Sequence, residues 1–290
     1  MPEVKTRCIP KYNIFQTTGS KIASFTQYLV HTILGIMAKW WIGCSGFHYK
    51  HWKGIFYPEK LPQSKWFDYY SKAFKTLELN VTFYRFPRLS FLEPWYNNSP
   101  EIFSFSVKAP RAIRHYKKFK NAKQLLDDFY GTIREGLKGK LGCVLFQIPP
   151  GMAYKEEKLE QIIETLDPAF TNVVEFRNET WWTTHVYNKL AQHNITFCGM
   201  SHPALPNDVV KNTKTVYYRF HGVPHLYQSK YEITILQRIS NEIEGNTGVK
   251  EAFIYFNNDI DASAITNAIE MNEYREGYEQ SSKMKVYAFS

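Results

Sequence analysis

A chain of 290 residues, 44% of them hydrophobic, has the length and apolar content for one large core and leaves no need of a second domain. Its formal charge of +9 does not by itself require a polyanionic partner, because Lys5, Arg7, Lys11, Lys21 and Lys39 stand against only Glu3 at the start of the chain and the rest is mildly basic. Cys8, Cys44, Cys143 and Cys198 lie far apart with no Cys-x-x-Cys pair, which argues against a thiolate metal site and points to a reducing, cytoplasmic compartment.

The first segment combines those scattered basic residues with one apolar patch, residues 28–36. The patch is too short to span a bilayer, and no small-residue cleavage site follows it. Met37 stands directly before Ala38-Lys39 and the first strand, as an initiating methionine does. Residues 1–37 are therefore expected to be an extension outside the fold, disordered or a loose helix. Residues 38–290 are expected to form the folded domain, with no membrane partner.

Eight short apolar runs follow, at 40–45, 76–80, 103–108, 143–147, 173–177, 195–199, 216–221 and 252–257, and nearly every one ends in a polar or charged side chain. Between them, residues 64–74, 122–137, 156–166, 181–192, 231–244 and 261–271 carry apolar side chains at helical spacing. Ser64 is placed to cap the first, and Leu125, Leu126, Phe129, Ile133 and Leu137 stripe the second. Strand and helix alternating through seven crossovers predict a parallel sheet, and eight strands predict closure into a TIM-type (β/α)8 barrel rather than an open doubly wound sheet. Gly43-Cys44-Ser45-Gly46-Phe47 has the wrong spacing for a phosphate loop and runs into aromatics, so no dinucleotide cofactor is expected.

Nine stretches carry a family resemblance. They are Trp41-Ile42-Gly43-Cys44-Ser45-Gly46-Phe47, His51-Trp52-Lys53-Gly54-Ile55-Phe56-Tyr57-Pro58, Glu78-Leu79-Asn80-Val81-Thr82-Phe83-Tyr84, Lys108-Ala109-Pro110-Arg111, Lys140-Leu141-Gly142, Gln147-Ile148-Pro149-Pro150, Glu175-Phe176-Arg177, Arg219-Phe220-His221-Gly222 and Tyr255-Phe256-Asn257-Asn258-Asp259. In this order they resemble the YecE-like family, domain of unknown function 72. The resemblance implies a TIM-type barrel and a cytosolic protein, and no established reaction. It departs from the family pattern at Cys44 and Phe47, where Thr and Trp are usual, and at Met200-Ser201-His202, where an Asp is common.

Side chains two apart on a strand point to the same side of a barrel wall. Glu78 with Asn80, Ser106 with Lys108, Glu175 with Arg177, and Arg219 with His221 therefore share faces, and Gln147 and Asn257 lie at matching depth. If those faces turn inward, the mouth gathers carboxylates, cations, an imidazole and amides. The catalytic reading takes Glu78, Glu175 and His221 as acid–base groups. Asn80, Lys108, Gln147, Arg177, Arg219 and Asn257 then bind a polar, partly anionic substrate, phosphorylated or carbohydrate-like, with His115, Trp52 and Tyr84 contributing from the loops. Hydrolase, lyase and isomerase chemistry all fit, while a buried ion-pair network that plugs the barrel is the structural counterpart. There is no His-x-His, HExxH or cysteine pair, and the nearby cations disfavour another, so no metal is expected. Arg111, Arg114, Lys117, Lys118, Lys120 and Lys123 form a basic run that leaves open an alternative, binding of nucleic acid or another anionic ligand without catalysis.

Overall fold

The computed structural model describes residues 37–115, 123–245 and 248–288, so the extension 1–36 and Lys117, Lys118 and Lys120 lie outside the described residues. A first compact unit is Ala38–Arg275. The first unit holds eight strands: β1 (Lys39–Cys44), β2 (Thr76–Leu79), β3 (Ser104–Lys108), β4 (Leu141–Ile148), β5 (Thr171–Phe176), β6 (Thr196–Ser201), β7 (Thr215–Phe220) and β8 (Glu251–Phe256). All paired neighbours run parallel in the order β1-β8-β7-β6-β5-β4-β3-β2, a single-domain TIM-type (β/α)8 barrel.

The strands are buried on both faces. Their outward side chains pack under the helices, and their inward ones, Trp41, Cys143, Leu145, Val173, Cys198, Tyr217, Phe253 and Tyr255, fill the interior as a separate apolar cluster. This double burial explains why the strands read as near-continuous apolar runs.

Between β1 and β2 the ring closes on a side chain. The Tyr70 hydroxyl, carried by α1 (Trp66–Ala73), accepts from the Cys44 N–H at 2.8 Å and donates to the Thr76 carbonyl at 3.0 Å. Burial pushes the Tyr70 phenol far up, so it keeps the proton that the second bond needs. Gly43 makes the approach feasible, because a Cβ there would meet the Thr76 oxygen at 2.4 Å.

Helices α2 (Val81–Tyr84), α3 (Leu89–Asn98) and α4 (Arg111–His115) were not signalled by apolar spacing. Pro94 sits inside α3 and hides it from a periodicity reading. The expected helices appear as α1, α5 (Lys123–Leu137), α6 (Glu156–Thr165), α7 (Thr184–Gln192), α8 (Ile233–Glu244) and α9 (Ser263–Ala288), the last running well past the expected 261–271. Ser64 does not cap α1; it lies in the 3₁₀ turn Gln63–Lys65 that leads into it.

The β6–β7 crossover, for which no helical segment was expected, departs from strict alternation of strand and helix. Residues 202–214 contain no helix, because Pro203 and Pro206 interrupt any helical ladder there. The loop covers β6 instead, burying Val209 and Val210, while the Asn212 side chain accepts from Phe197 N–H and donates to the Ile195 carbonyl, both at 2.9 Å.

Candidate active site at the barrel mouth

The alternation expected along each strand carries Glu78, Ser106, Glu175 and Arg219 into the barrel above its apolar plug, where the hydroxyls of the plug's Tyr217 and Tyr255 donate to Glu78 and Ser106. Lys108 closes β3, while Asn80, Arg177, His221 and Asn257 follow the ends of β2, β5, β7 and β8 at the C-terminal rim. Gly222 lets the chain turn sharply after His221. Its φ of +91° suits only glycine, and its N–H donates to the Tyr231 hydroxyl at 2.8 Å.

Arg219 is the centre of the cluster and is fully buried. Its Nη2 donates to Glu78 Oε1 at 2.7 Å, and its Nη1 donates to Glu175 Oε2. The second oxygen of Glu78 accepts from the Tyr217 hydroxyl at 2.6 Å, and that of Glu175 accepts from Arg177 Nε. Arg177 continues the chain outward by donating from Nη2 to His221 Nε2 at 3.2 Å. Two carboxylates and a guanidinium removed from water are tolerable only when each is answered in this way.

The electrostatics follow from these contacts. Burial by itself would raise the Glu175 carboxyl, but the Arg177 and Arg219 guanidiniums outweigh it and hold the group well below the usual carboxylate range. His221 is driven well below the ordinary imidazole value by burial and by the same two guanidiniums, so it is neutral. Arg177 has no acceptor, so His221 Nε2 carries the lone pair and Nδ1 the proton. Asn257 Nδ2 stands 3.1 Å from Nδ1, and since that atom must donate, the amide serves it through its oxygen after a half-turn that exchanges the two amide atoms. His202, just after β6, packs edge-on against His221 with centroids 5.9 Å apart, and burial with Arg177 nearby pushes it down to about 4.

Lys108 is the third cation of the cluster. Its Nζ lies 4.5 Å from the centroid of the Phe83 ring, and among the described residues no carboxylate comes within ion-pair distance of it. Burial, followed by Arg219, lowers its ammonium to about 7.

The remaining expected residues divide. Gln147 pairs in register with Glu175 and is half-buried, and Asn80 Nδ2 donates to the Ser45 carbonyl at 3.1 Å across the β1–β2 seam. Tyr84 is 72% exposed on α2. Trp52, expected as a stacking surface, is fully buried and donates its indole N–H to Asp259 at 2.8 Å, so its ring is part of the wall. The side chain of His115 lies outside the described residues.

Sequence reasoning passed over Tyr217, whose position two residues before Arg219 was the available signal. It also passed over the rim pair His51 Nε2 and Asp259 Oδ2, 3.2 Å apart, which no spacing in the sequence connects. Burial raises Asp259 to about 6. Beside the ion-pair cluster, between the ends of β1 and β2, opens a cleft of ≈ 410 Å³ bordered by Phe47, Tyr49, Asn80, Val81 and Trp95. Among the described residues no group of three or more His, Cys, Asp or Glu is placed to hold a metal ion, and no helix is long and apolar enough to cross a membrane.

Eight parallel strands alternating with helices, a filled interior and charged groups gathered at the strand ends define a TIM-type barrel protein with its candidate site at the C-terminal face. The chain belongs to the family described as Protein of unknown function DUF72, which it matches over residues 41–286. It is 25% identical over 256 residues to the UPF0759 protein YunF of Bacillus subtilis (strain 168), covering 75% of this chain and 89% of that protein. Its fold matches the crystal structure of a DUF72 family protein (TM1631) from Thermotoga maritima MSB8 with a TM-score of 0.75 and 27% identity, over 82% of this chain and 99% of the other. A DUF72 family protein (EF0366) from Enterococcus faecalis V583 shares the fold at a TM-score of 0.65 and 16% identity, over 81% and 94% of the two chains.

Proposed function

We propose that this chain is an enzyme that works at the barrel mouth on a small polar substrate bearing an anionic group. The observation that carries this reading is the unmatched charge of Lys108. Glu78 and Glu175 are already engaged by Arg219 and Arg177, so three cations face two carboxylates, and the ammonium without a counter-charge is the one at the rim. A carboxylate or phosphate on the substrate supplies what is missing, and the fold supports the location because barrels of this type bind substrates at this face.

On this reading Lys108 and Arg177 receive the anionic group, while Asn80, Gln147 and Asn257 orient polar groups around it. Glu78 and Glu175 are positioning residues rather than the acid and base. Both are fully buried, and Glu175 is held as a permanent charge by its two guanidiniums. His221 presents a fixed neutral imidazole whose lone pair Arg177 already occupies.

Titration calorimetry with sulfate and with small phosphorylated or carboxylated metabolites tests the site. Lys108→Met and Arg177→Met are each expected to weaken binding by about 10-fold or more, roughly 1.4 kcal/mol. Anion binding that neither substitution alters would reject the assignment. A turnover screen over the metabolites that bind then tests catalysis, and binding without any turnover would leave an anion-binding protein.

A further inference from the structure

We propose, building on that reading, that Lys108 is a nucleophile forming an imine with a substrate carbonyl, which makes the substrate an aldehyde or 2-oxo compound carrying a carboxylate or phosphate. The placement of the amine is the basis. Lys108 is the last residue of β3, and its backbone is fixed on both sides: the Thr82 hydroxyl donates to its carbonyl at 2.6 Å, and the next residue, Ala109, donates its N–H to the Leu145 carbonyl at 2.9 Å. The strand thus delivers the side chain to a set position at the mouth. Its Nζ rests against the face of Phe83 and takes part in no ion pair among the described residues.

Lys140 shows what a structural lysine looks like in the same molecule. Its ammonium donates to the Tyr96 carbonyl at 2.7 Å and to the Ser99 carbonyl and hydroxyl at 2.9 and 2.8 Å, so each of its three protons has an acceptor. Lys108 has no such acceptors. The charged groups around it are Arg219 on β7 and Arg177 after β5, which repel its proton, and Glu175 on β5 and Glu78 on β2, which attract it but are already bound to those guanidiniums. Burial and the repulsion leave a substantial fraction of free amine at neutral pH, and only the free amine has a lone pair to donate.

In the proposed step the Nζ lone pair attacks the carbonyl carbon while the C–O π bond breaks, and one proton passes from the nitrogen to the oxygen to give a neutral carbinolamine. That hydroxyl leaves as water, taking up one further proton, as the nitrogen forms its double bond to carbon. The product is a protonated imine, so amine, carbonyl compound and one proton give iminium and one water, with no oxidation or reduction. The iminium carries the single positive charge of the ammonium it replaces, so the cluster keeps its charge. Arg177 remains available for the anionic group.

The experiment incubates the intact protein with glyoxylate and sodium cyanoborohydride at neutral pH, then locates adducts by intact mass and peptide mapping. One adduct per chain on Lys108 is expected, forming at least about 10-fold faster than on surface lysines, suppressed by sulfate and absent in Lys108→Arg. Sulfate protection is read on the unmodified chain, so the test stands if that variant fails to fold. Labelling spread evenly over surface lysines, or a Lys108 left unmodified, overturns the imine. If sulfate still binds in that event, only the imine is lost; if it does not, the anion-site reading fails as well.

Discussion

Arg219 on β7 reaches Glu78 on β2 at 2.7 Å, and neither side chain exposes any surface to solvent. The two strands stand three places apart around the ring, so this contact ties the wall across the interior, and Glu175 on β5 extends the tie to a third strand. Arg219→Leu leaves two buried carboxylates facing one another without their shared cation. A loss of about 3–5 kcal/mol is expected in urea denaturation, since removing one member of a buried ion pair strands the others. A loss below about 1 kcal/mol would show that the carboxylates find water or a proton instead.

Lys108 fixes the sign of one pH effect. An unfolded lysine holds its proton to about 10.5, whereas this one releases it near 7 in the folded protein. Between those values the unfolded chain binds more protons, so the contribution of this residue to stability rises with pH through the window and is least favourable below about 7. Lys108→Met is therefore expected to raise stability most at pH 6 and by clearly less at pH 9. Denaturation midpoints at both pH values decide it, and an equal gain at each would falsify the depressed amine.

Much of this site was legible because strands impose a period of two. Once Glu175 and Arg177 are assigned to one face, Arg219 and His221 to another, and Glu78 to a third, closing the sheet leaves them facing a common interior. What the sequence could not show was depth. Glu78 and Arg177 both read as charged residues near a strand end, yet one is sealed beneath Arg219 and the other reaches the rim, because the stagger of parallel strands sets height in the barrel. Tyr217 read as apolar bulk, although its hydroxyl completes the partners of Glu78. The His51–Asp259 pair needed the fold itself, since β1 and β8 become neighbours only on closure. Helix α3 was concealed by Pro94, and the β6–β7 connection, in which no helical segment was read, holds none.

The seam between β1 and β2 makes a third prediction. Tyr70→Phe keeps the ring and removes only the hydroxyl, leaving the Cys44 N–H and the Thr76 carbonyl buried without that partner. A destabilisation of about 1–3 kcal/mol is expected. Faster hydrogen exchange at the Cys44 amide should accompany it, and exchange unchanged from the parent would mean that the strands pair directly once the hydroxyl is gone.

The apolar plug beneath the ion pairs has a consequence for traffic. Trp41, Leu145, Val173 and Phe253 make the barrel a cup and not a conduit. Whatever settles against Lys108 must therefore depart through the doorway by which it arrived, so an outgoing molecule obstructs the next arrival until it has cleared the threshold.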